Sequence, residues 1–134
     1  AAVLGFQGLA VLHDVAFAGA RPPAAFAPEL ARVLAHVEGN LAGDLRVDAL
    51  AHVAGLSRAH FVRRFAAEVG VPPSDHVFAR RMHRVERLLT ASEMKIAEIA
   101  RATGFAEANY LAKAFRRHRG LSPMEFRAQR YEAV

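Results

Sequence analysis

Basic side chains recur at helical spacing in two stretches of this 134-residue sequence. Arg58 and Arg63 stand in the first stretch, and Lys113 and Arg116 stand in the second, about 50 residues later. Long cationic side chains on one helix face can donate hydrogen bonds to phosphate oxygens and to guanine edges. The chemistry that this spacing favours is the binding of a polyanion.

The seven histidines lack the spacing of a metal site or a catalytic site. His76 and His83 lie two helical turns apart, about 10 Å, which is too far for both to hold one metal ion. The sequence has no H-E-x-x-H motif, no Ser-His-Asp order, no glycine-rich phosphate loop and no cysteine. A small enzyme that works through its histidines is disfavoured, and we expect no catalysis, no metal and no cofactor.

The net charge of +5 is concentrated towards the C-terminus. Residues 1–78 carry six Arg against seven acidic residues, whereas residues 79–134 carry twelve Lys or Arg against six Glu. This balance favours a polyanionic partner, although a solvated basic surface would have the same composition. No run of roughly 18 apolar residues occurs, so we predict no membrane span and expect a cytoplasmic protein.

The composition predicts an all-α chain, because Ala, Leu, Arg and Glu dominate and strand-like alternation is nearly absent. Proline and glycine positions, with Ser57 and the Ser122/Glu125 capping pair, delimit the helices. The predicted helices cover 28–40, 46–53, 58–69, 73–90, 95–102 and 107–118, with a last helix that starts at Ser122. An extra apolar helix, 2–18, is predicted before a linker at 21–24.

The sequence repeats itself at a period near 50 residues. At an offset of 49 the matched positions are Leu50 with Ile99, Ala51 with Ala100, Gly55 with Gly104, and Leu56 with Phe105. After one inserted residue, 60–65 matches 110–115. Each repeat predicts a helix, a glycine turn at positive φ and a second helix. The second helix can cross close over the first because Ala51 and Ala100 are small. Two matching copies favour two helix-turn-helix units over hairpins duplicated for packing alone.

The second helix of each repeat has an apolar face and a polar face. Phe61 and Phe65 share the apolar face of the first, and Leu111 and Phe115 that of the second, so we predict that they pack inward. The opposite faces should be exposed and suit a major groove. They carry Arg58, Ala59, Val62 and Arg63 in the first helix, and Glu107, Asn109, Ala112, Lys113 and Arg116 in the second.

The stretch from Leu45 to Arg127 resembles the DNA-binding region of AraC/XylS-type transcription regulators. The markers are Leu50-Ala51, Gly55-Leu56-Ser57, His60 to Phe65, Gly70, Arg81, Leu88-Leu89, Ile96, Ile99-Ala100, Gly104-Phe105, Tyr110, Phe115, Gly120 to Pro123 and Phe126-Arg127. The resemblance implies a sequence-specific DNA-binding regulator with two homeodomain-like helix-turn-helix subdomains joined by a long linker helix. Its recognition helices, 58–66 and 107–116, would enter successive major grooves. Pro72, Val62 and Ala112 depart from the family pattern.

The exposed faces of the two repeats and the family resemblance together assign roles to single residues. The predicted base readers are Arg58, Ala59, Arg63, Glu107, Asn109 and Lys113. The predicted phosphate contacts are Ser57, Arg64, Arg116, Arg117 and Ser122. Arg63 is the strongest reader, since its guanidinium can grip guanine through two hydrogen bonds, although a phosphate contact is its alternative. Asn109 could read adenine, cap its helix or contact phosphate.

The linker helix 73–90 would be about 27 Å long, which suits two units spaced one DNA turn, roughly 34–36 Å, apart. Its apolar stripe is predicted to contain Phe78, Met82, Val85 and Leu89. The arginines around that stripe, some of which we expect to pair with glutamates, are Arg80, Arg81, Arg84 and Arg87.

We divide the chain into residues 1–26 and residues 27–134, the DNA-binding domain. Residues 1–26 are a helix and linker interpreted as the remnant of an upstream effector or dimerisation domain, with a packing helix of the DNA-binding domain as the alternative. The DNA-binding domain comprises a first unit (27–72), the linker helix (73–91) and a second unit (92–134). Double-stranded DNA is the expected partner. RNA polymerase and a second copy of the chain, joined through a missing or N-terminal segment, are further candidates. The alternative function is a helical protein-interaction module that binds DNA weakly and without salt dependence.

Overall fold

A computed structural model describes residues 25–132 of the chain and confirms the all-α prediction for them. The seven helices of this part are α1 (Pro28–Gly39), α2 (Val47–Ala54), α3 (Arg58–Val69), α4 (Pro73–Ala91), α5 (Ile96–Ala102), α6 (Ala108–Arg119) and α7 (Pro123–Glu132). Every predicted boundary within this range agrees to within one residue. The predicted helix 2–18 and the linker at 21–24 lie outside the described residues.

Local signals explain where these helices begin. Pro28 and Pro73 occupy the first turns of α1 and α4, where a missing amide proton costs no hydrogen bond. Ser57 caps α3, because its Oγ accepts from the backbone N–H of His60 at 3.2 Å. The capping box of α7 is confirmed: the backbone N–H of Glu125 donates to Ser122 Oγ at 3.0 Å, and the Ser122 N–H donates to the Glu125 carboxylate at 2.7 Å.

The first hydrophobic core lies among α1, α2 and α3. Phe61 and Phe65 of α3 are fully buried, as predicted, and their ring centroids lie 5.6 Å apart. Ala51 of α2 is also buried, which allows α3 to cross close to that helix. The other core residues are Leu30, Val33, Val37, Leu41, Leu45, Leu50, Ala54 and Val77. These three helices form the first unit.

The second core lies among the C-terminal half of α4, α5 and α6. Leu111 and Phe115 of α6 are fully buried, which confirms the prediction for that helix face. Phe126 of α7 packs against this core, with its ring edge-on to that of Phe115 at 5.3 Å between centroids. The remaining buried members are Met82, Val85, Leu89, Ile99, Ala100, Phe105 and Ala114.

Helix α4 takes part in both cores, since Val77 belongs to the first and Met82, Val85 and Leu89 belong to the second. Its 19 residues correspond to a length of about 28 Å. Of the predicted apolar stripe, Met82, Val85 and Leu89 are buried, whereas the Phe78 side chain is 39% exposed. Phe78 lies where the helix passes from one core to the other, and its ring contacts His118 of α6.

Two arginines of α7 cover the C-terminal end of α4. Arg127 Nε donates to the carbonyl of Leu89 at 3.1 Å, and Arg130 Nη1 donates to the carbonyls of Leu89 and Ser92 at 3.0 Å. The last carbonyls of a helix lack intrahelical partners and attract cations. These bonds therefore stabilise the end of α4 and hold α7 against it.

Candidate nucleic-acid interface

Helices α3 and α6 present comparable outer faces. On α3 the residues Arg58, Ala59 and Arg63 are exposed, and on α6 the residues Asn109 and Lys113 are exposed. Val62 and Ala112, two further residues of these faces, are each partly buried. Because the inward faces are anchored by buried phenylalanine and leucine, the exposed faces have fixed orientations within their units.

The arginines of α3 differ in how they are held. Arg63 is exposed and has no ion pair with any residue that the structure describes. Arg58 forms a 2.6 Å ion pair with Asp48 of α2, and both side chains are largely exposed. An exposed pair of this kind is weak and can exchange its carboxylate for another anion.

Arg64, a predicted phosphate contact, faces the interior of the first unit instead. It donates to Glu29 of α1 at 3.0 Å and to Glu68 of α3 at 3.0 Å, and its side chain is 28% exposed. These carboxylates raise the pKa of Arg64, and the backbone and Arg64 together lower the pKa of Glu29. Because its guanidinium is committed to two carboxylates that join α1 to α3, we leave Arg64 out of the phosphate contacts proposed below.

The first turn of α6 begins one residue later than predicted. Glu107 is the residue before the helix, with extended backbone, and its side chain does not cap α6. It is exposed at the edge of the face rather than on the helix itself. Asn109 makes no hydrogen bond within the described residues, so a capping role is not observed for it.

Basic residues crowd the end of α6, where its last turn contains Arg116, Arg117, His118 and Arg119. Arg116 lies 3.4 Å from Glu125 of α7, and both side chains are 59% exposed. The backbone N–H of Ser122 lowers the pKa of Glu125, which keeps this carboxylate charged. Arg119 instead turns towards Glu86 of α4, at 3.4 Å. Arg116 is therefore left near the surface, as is the exposed Arg117.

A groove of about 650 Å³ separates the two units. Its walls include a residue near the start of α3, a residue near the start of α6, and a short stretch of α4. They are Asp44, Asp48, Arg58, Phe78, Arg81, Gly104 and Tyr110, among others. Tyr110 is 59% exposed beside Phe105. Arg58 of α3 and Tyr110 of α6 therefore both border this groove.

Comparisons with known proteins agree with this geometry. A family profile described as a helix-turn-helix domain matches residues 50–129, more than half of the chain. The crystal structure of an AraC-type DNA-binding-domain regulator from Chromobacterium violaceum is 30% identical, with a TM-score of 0.70, and the match covers 80% of this chain and 96% of that chain. The chain belongs to the AraC/XylS family.

Two further relatives define the extent of the likeness. Regulatory protein PocR of Salmonella typhimurium is 30% identical over 109 residues, which cover 81% of this chain and 36% of PocR. The DNA-binding domain of the global transcriptional factor AdpA, solved in complex with a target DNA, is 34% identical with a TM-score of 0.74, covering 80% and 96%. This AraC/XylS chain spans about a third of the length of PocR and of two other curated regulators that it matches.

Sequence reasoning missed the role of Arg81 in this AraC/XylS chain. The expectation that some linker arginines pair with glutamates is confirmed for Arg80, which lies 2.7 Å from Glu38. Arg81 instead donates to the backbone carbonyls of Leu41 and Gly43. Burial lowers the pKa of Arg81, but an arginine remains charged at neutral pH. No sequence pattern indicates a bond from a side chain to backbone 40 residues away.

Residues 25–132 contain neither a metal-binding cluster of side chains nor a membrane-spanning helix. No three His, Asp or Glu side chains in this range are grouped as a metal ion would require. None of the described helices combines the length and hydropathy needed to cross a bilayer.

Proposed function

We propose that this chain is the sequence-specific DNA-binding part of a transcription regulator, and that α3 and α6 enter successive major grooves of double-stranded DNA. One observation carries the proposal. Two repeat-equivalent helices each bury one face completely and expose the other, with hydrogen-bond donors on the exposed face. A major groove admits an α-helix and is read by such donors.

The residues that would read bases lie on the exposed faces of α3 and α6. Arg63 would grip guanine O6 and N7, Asn109 would read adenine, and Lys113 would donate to guanine. Arg58 and Ala59 flank Arg63, and Glu107, at the edge of α6, could accept from the cytosine amino group. Arg58 joins the set if DNA displaces Asp48 from it.

The phosphate contacts would come from Arg116 and Arg117 and from the caps of α3 and α7. Ser57 and Ser122 each use a lone pair of Oγ to accept from backbone. The hydroxyl proton of each remains able to donate to a phosphate oxygen. Such contacts position the protein and give binding its dependence on salt.

The experiment that tests the proposal is selection of bound sequences from a random duplex pool. We expect a motif with two half-sites about 10–10.5 base pairs apart, because the proposal has α3 and α6 enter successive major grooves. Weak binding that is insensitive to salt and enriches no sequence would contradict it and favour the protein-interaction module.

The remaining expectations belong to the same proposal. We propose the division into residues 1–26 and 27–134, with unit boundaries at 72/73 and 91/92, and we propose a cytoplasmic, non-catalytic protein. A contact with RNA polymerase and a homodimer through the N-terminal segment stay predictions, because no described contact bears on either.

A further inference from the structure

The two units meet beside the middle of α4. Arg81 lies between Val77, which belongs to the first core, and Met82, which belongs to the second. Its Nε donates to the carbonyl of Leu41 at 3.0 Å, and its Nη2 donates to the carbonyl of Gly43 at 3.0 Å. Both carbonyls belong to the loop between α1 and α2, so this side chain joins the centre of α4 to the first unit.

The turn of the second unit packs onto the same point. Gly104 has a φ of 87°, and a Cβ built on it would lie 2.6 Å from Arg81 Nε and closer still to the carbonyl oxygen of Leu41. The turn fits because residue 104 has no side chain. Gly55, its equivalent in the first unit, has a φ of 72°, but a Cβ there would meet no atom within 4 Å.

We infer that the contact of Arg81 with the Leu41–Gly43 loop and the Gly104 turn fixes α3 relative to α6, and so sets the spacing of the two half-sites. The two hydrophobic cores are joined through α4, which belongs to both, and the contact of Arg81 adds a second connection between the units beside the middle of that helix. One base pair rotates a neighbouring half-site by roughly 34–36° about the DNA axis. Small changes at this contact therefore decide whether both helices engage together.

The inference rests on the proposed function, and it makes Arg81 a positioning residue that acts through α3 and α6. Arginine suits the role because its planar fork donates in two directions at once, whereas lysine offers a single ammonium. Arg80 is its matched control. It is the adjacent arginine of α4, but its bidentate bond goes to the Glu38 carboxylate of α1 rather than to the loop carbonyls.

The first test measures binding to duplexes with the selected half-sites at their best separation and with one base pair more or fewer. We expect the parent chain to lose affinity about a hundredfold when the separation changes, because simultaneous engagement is lost. In Arg81→Ala this spacing penalty should fall below about tenfold, while affinity for a single half-site stays unchanged. Arg80→Ala should keep the parent's penalty.

Glycine variants provide a second matched pair. Ala at position 104 adds backbone strain and a collision with the other unit, whereas Ala at position 55 adds the strain without the collision. Gly104→Ala should therefore shift or weaken the preferred spacing, and Gly55→Ala should leave it in place.

The second test needs no DNA. The chain has no cysteine, so Ala35→Cys on α1 and Ala128→Cys on α7, both exposed, would be the only sites for two spin labels. We expect one narrow distance distribution in the parent and in Arg80→Ala, and a clearly broader one in Arg81→Ala. If Arg81→Ala does not fold, Arg81→Lys should show an intermediate broadening.

An unchanged distance distribution with an unchanged spacing penalty in the Arg81 variants would overturn the inference and leave the proposed function intact. If the parent enriches no DNA sequence, the proposed function fails. The label distances then decide by themselves whether Arg81 couples the units.

Discussion

The two helix-turn-helix units match in their interiors and differ at their surfaces. Phe65 and Phe115 are repeat equivalents and are both fully buried, as are Phe61 and Leu111. A buried position must fill a fixed volume, which leaves few residue types that fit. The shared packing thus explains why the repeat is visible in the sequence at all.

The outer faces show the difference. Of the three arginines of α3, Arg58 pairs with Asp48 and Arg64 faces inward to Glu29 and Glu68, which leaves Arg63 without an ion pair among the described residues. On α6, Lys113 and Arg117 have no ion pair within the described residues. Exposed side chains are free of packing limits, so each helix can carry its own set of donors. We infer that α6 brings more uncompensated positive charge to DNA, and hence more of the salt dependence, than α3.

The largest expected effect tests whether the two interiors are equivalent. Phe65→Ala and Phe115→Ala should each lower the free energy of unfolding by about 3–5 kcal/mol, because each removes a buried ring and leaves a cavity. Urea unfolding followed by circular dichroism measures both. A loss below about 1 kcal/mol for one of them would show that its core can collapse around the gap, and that the interiors are not equivalent.

The second largest effect is expected at the turn glycines, where the two units should differ in how much stability a substitution costs. Gly55→Ala should cost about 1–2 kcal/mol of unfolding free energy, because alanine is strained at a φ of 72°. Gly104→Ala should cost about 1–3 kcal/mol more, since its Cβ collides with backbone. The same urea titration compares them. Equal losses would mean that the second turn moves away from Leu41 at no cost.

Much of the fold was predictable because its signals are local. Pro28 and Pro73 mark helix starts, Ser122 with Glu125 caps α7, and Gly55 ends α2. Each of these depends on backbone geometry within a few residues, which sequence spacing reveals. The exposure of Arg63 followed from the same logic, since a buried Phe61 places Arg63 on the opposite side of its helix.

The contacts that the sequence did not reveal join distant parts of the chain. Arg64 was predicted to meet phosphate, but Glu29, 35 residues earlier, lies beside it. Phe78 fitted the periodic stripe of α4, yet it falls where that helix changes partners. Arg81 bonds to carbonyls about 40 residues away. Periodicity gives the face of a helix but does not say which neighbour covers it.

Base reading offers a comparison of Arg63 with its repeat equivalent Lys113. Arg63→Ala should cost about 1–3 kcal/mol of binding free energy on the selected sequence and relax one base position, and Lys113→Ala should relax a position in the other half-site. Repeated selection with each variant measures this. Equal weakening on selected and random DNA would move either residue to the phosphate contacts.

The smallest expected effect is a change in the salt dependence of DNA binding, which should distinguish the surface residue Arg116 from the structural residue Arg64. Arg116→Ala should flatten the slope of log affinity against log salt by about one, because one phosphate contact is lost. Arg64→Ala should leave that slope unchanged and lower the unfolding free energy instead, since its partners are Glu29 and Glu68. Titrations at several salt concentrations, beside urea unfolding, measure both. A flattened slope for Arg64→Ala would mean that DNA draws this guanidinium away from its carboxylates, and the two units would then differ less in charge than their ion pairs indicate.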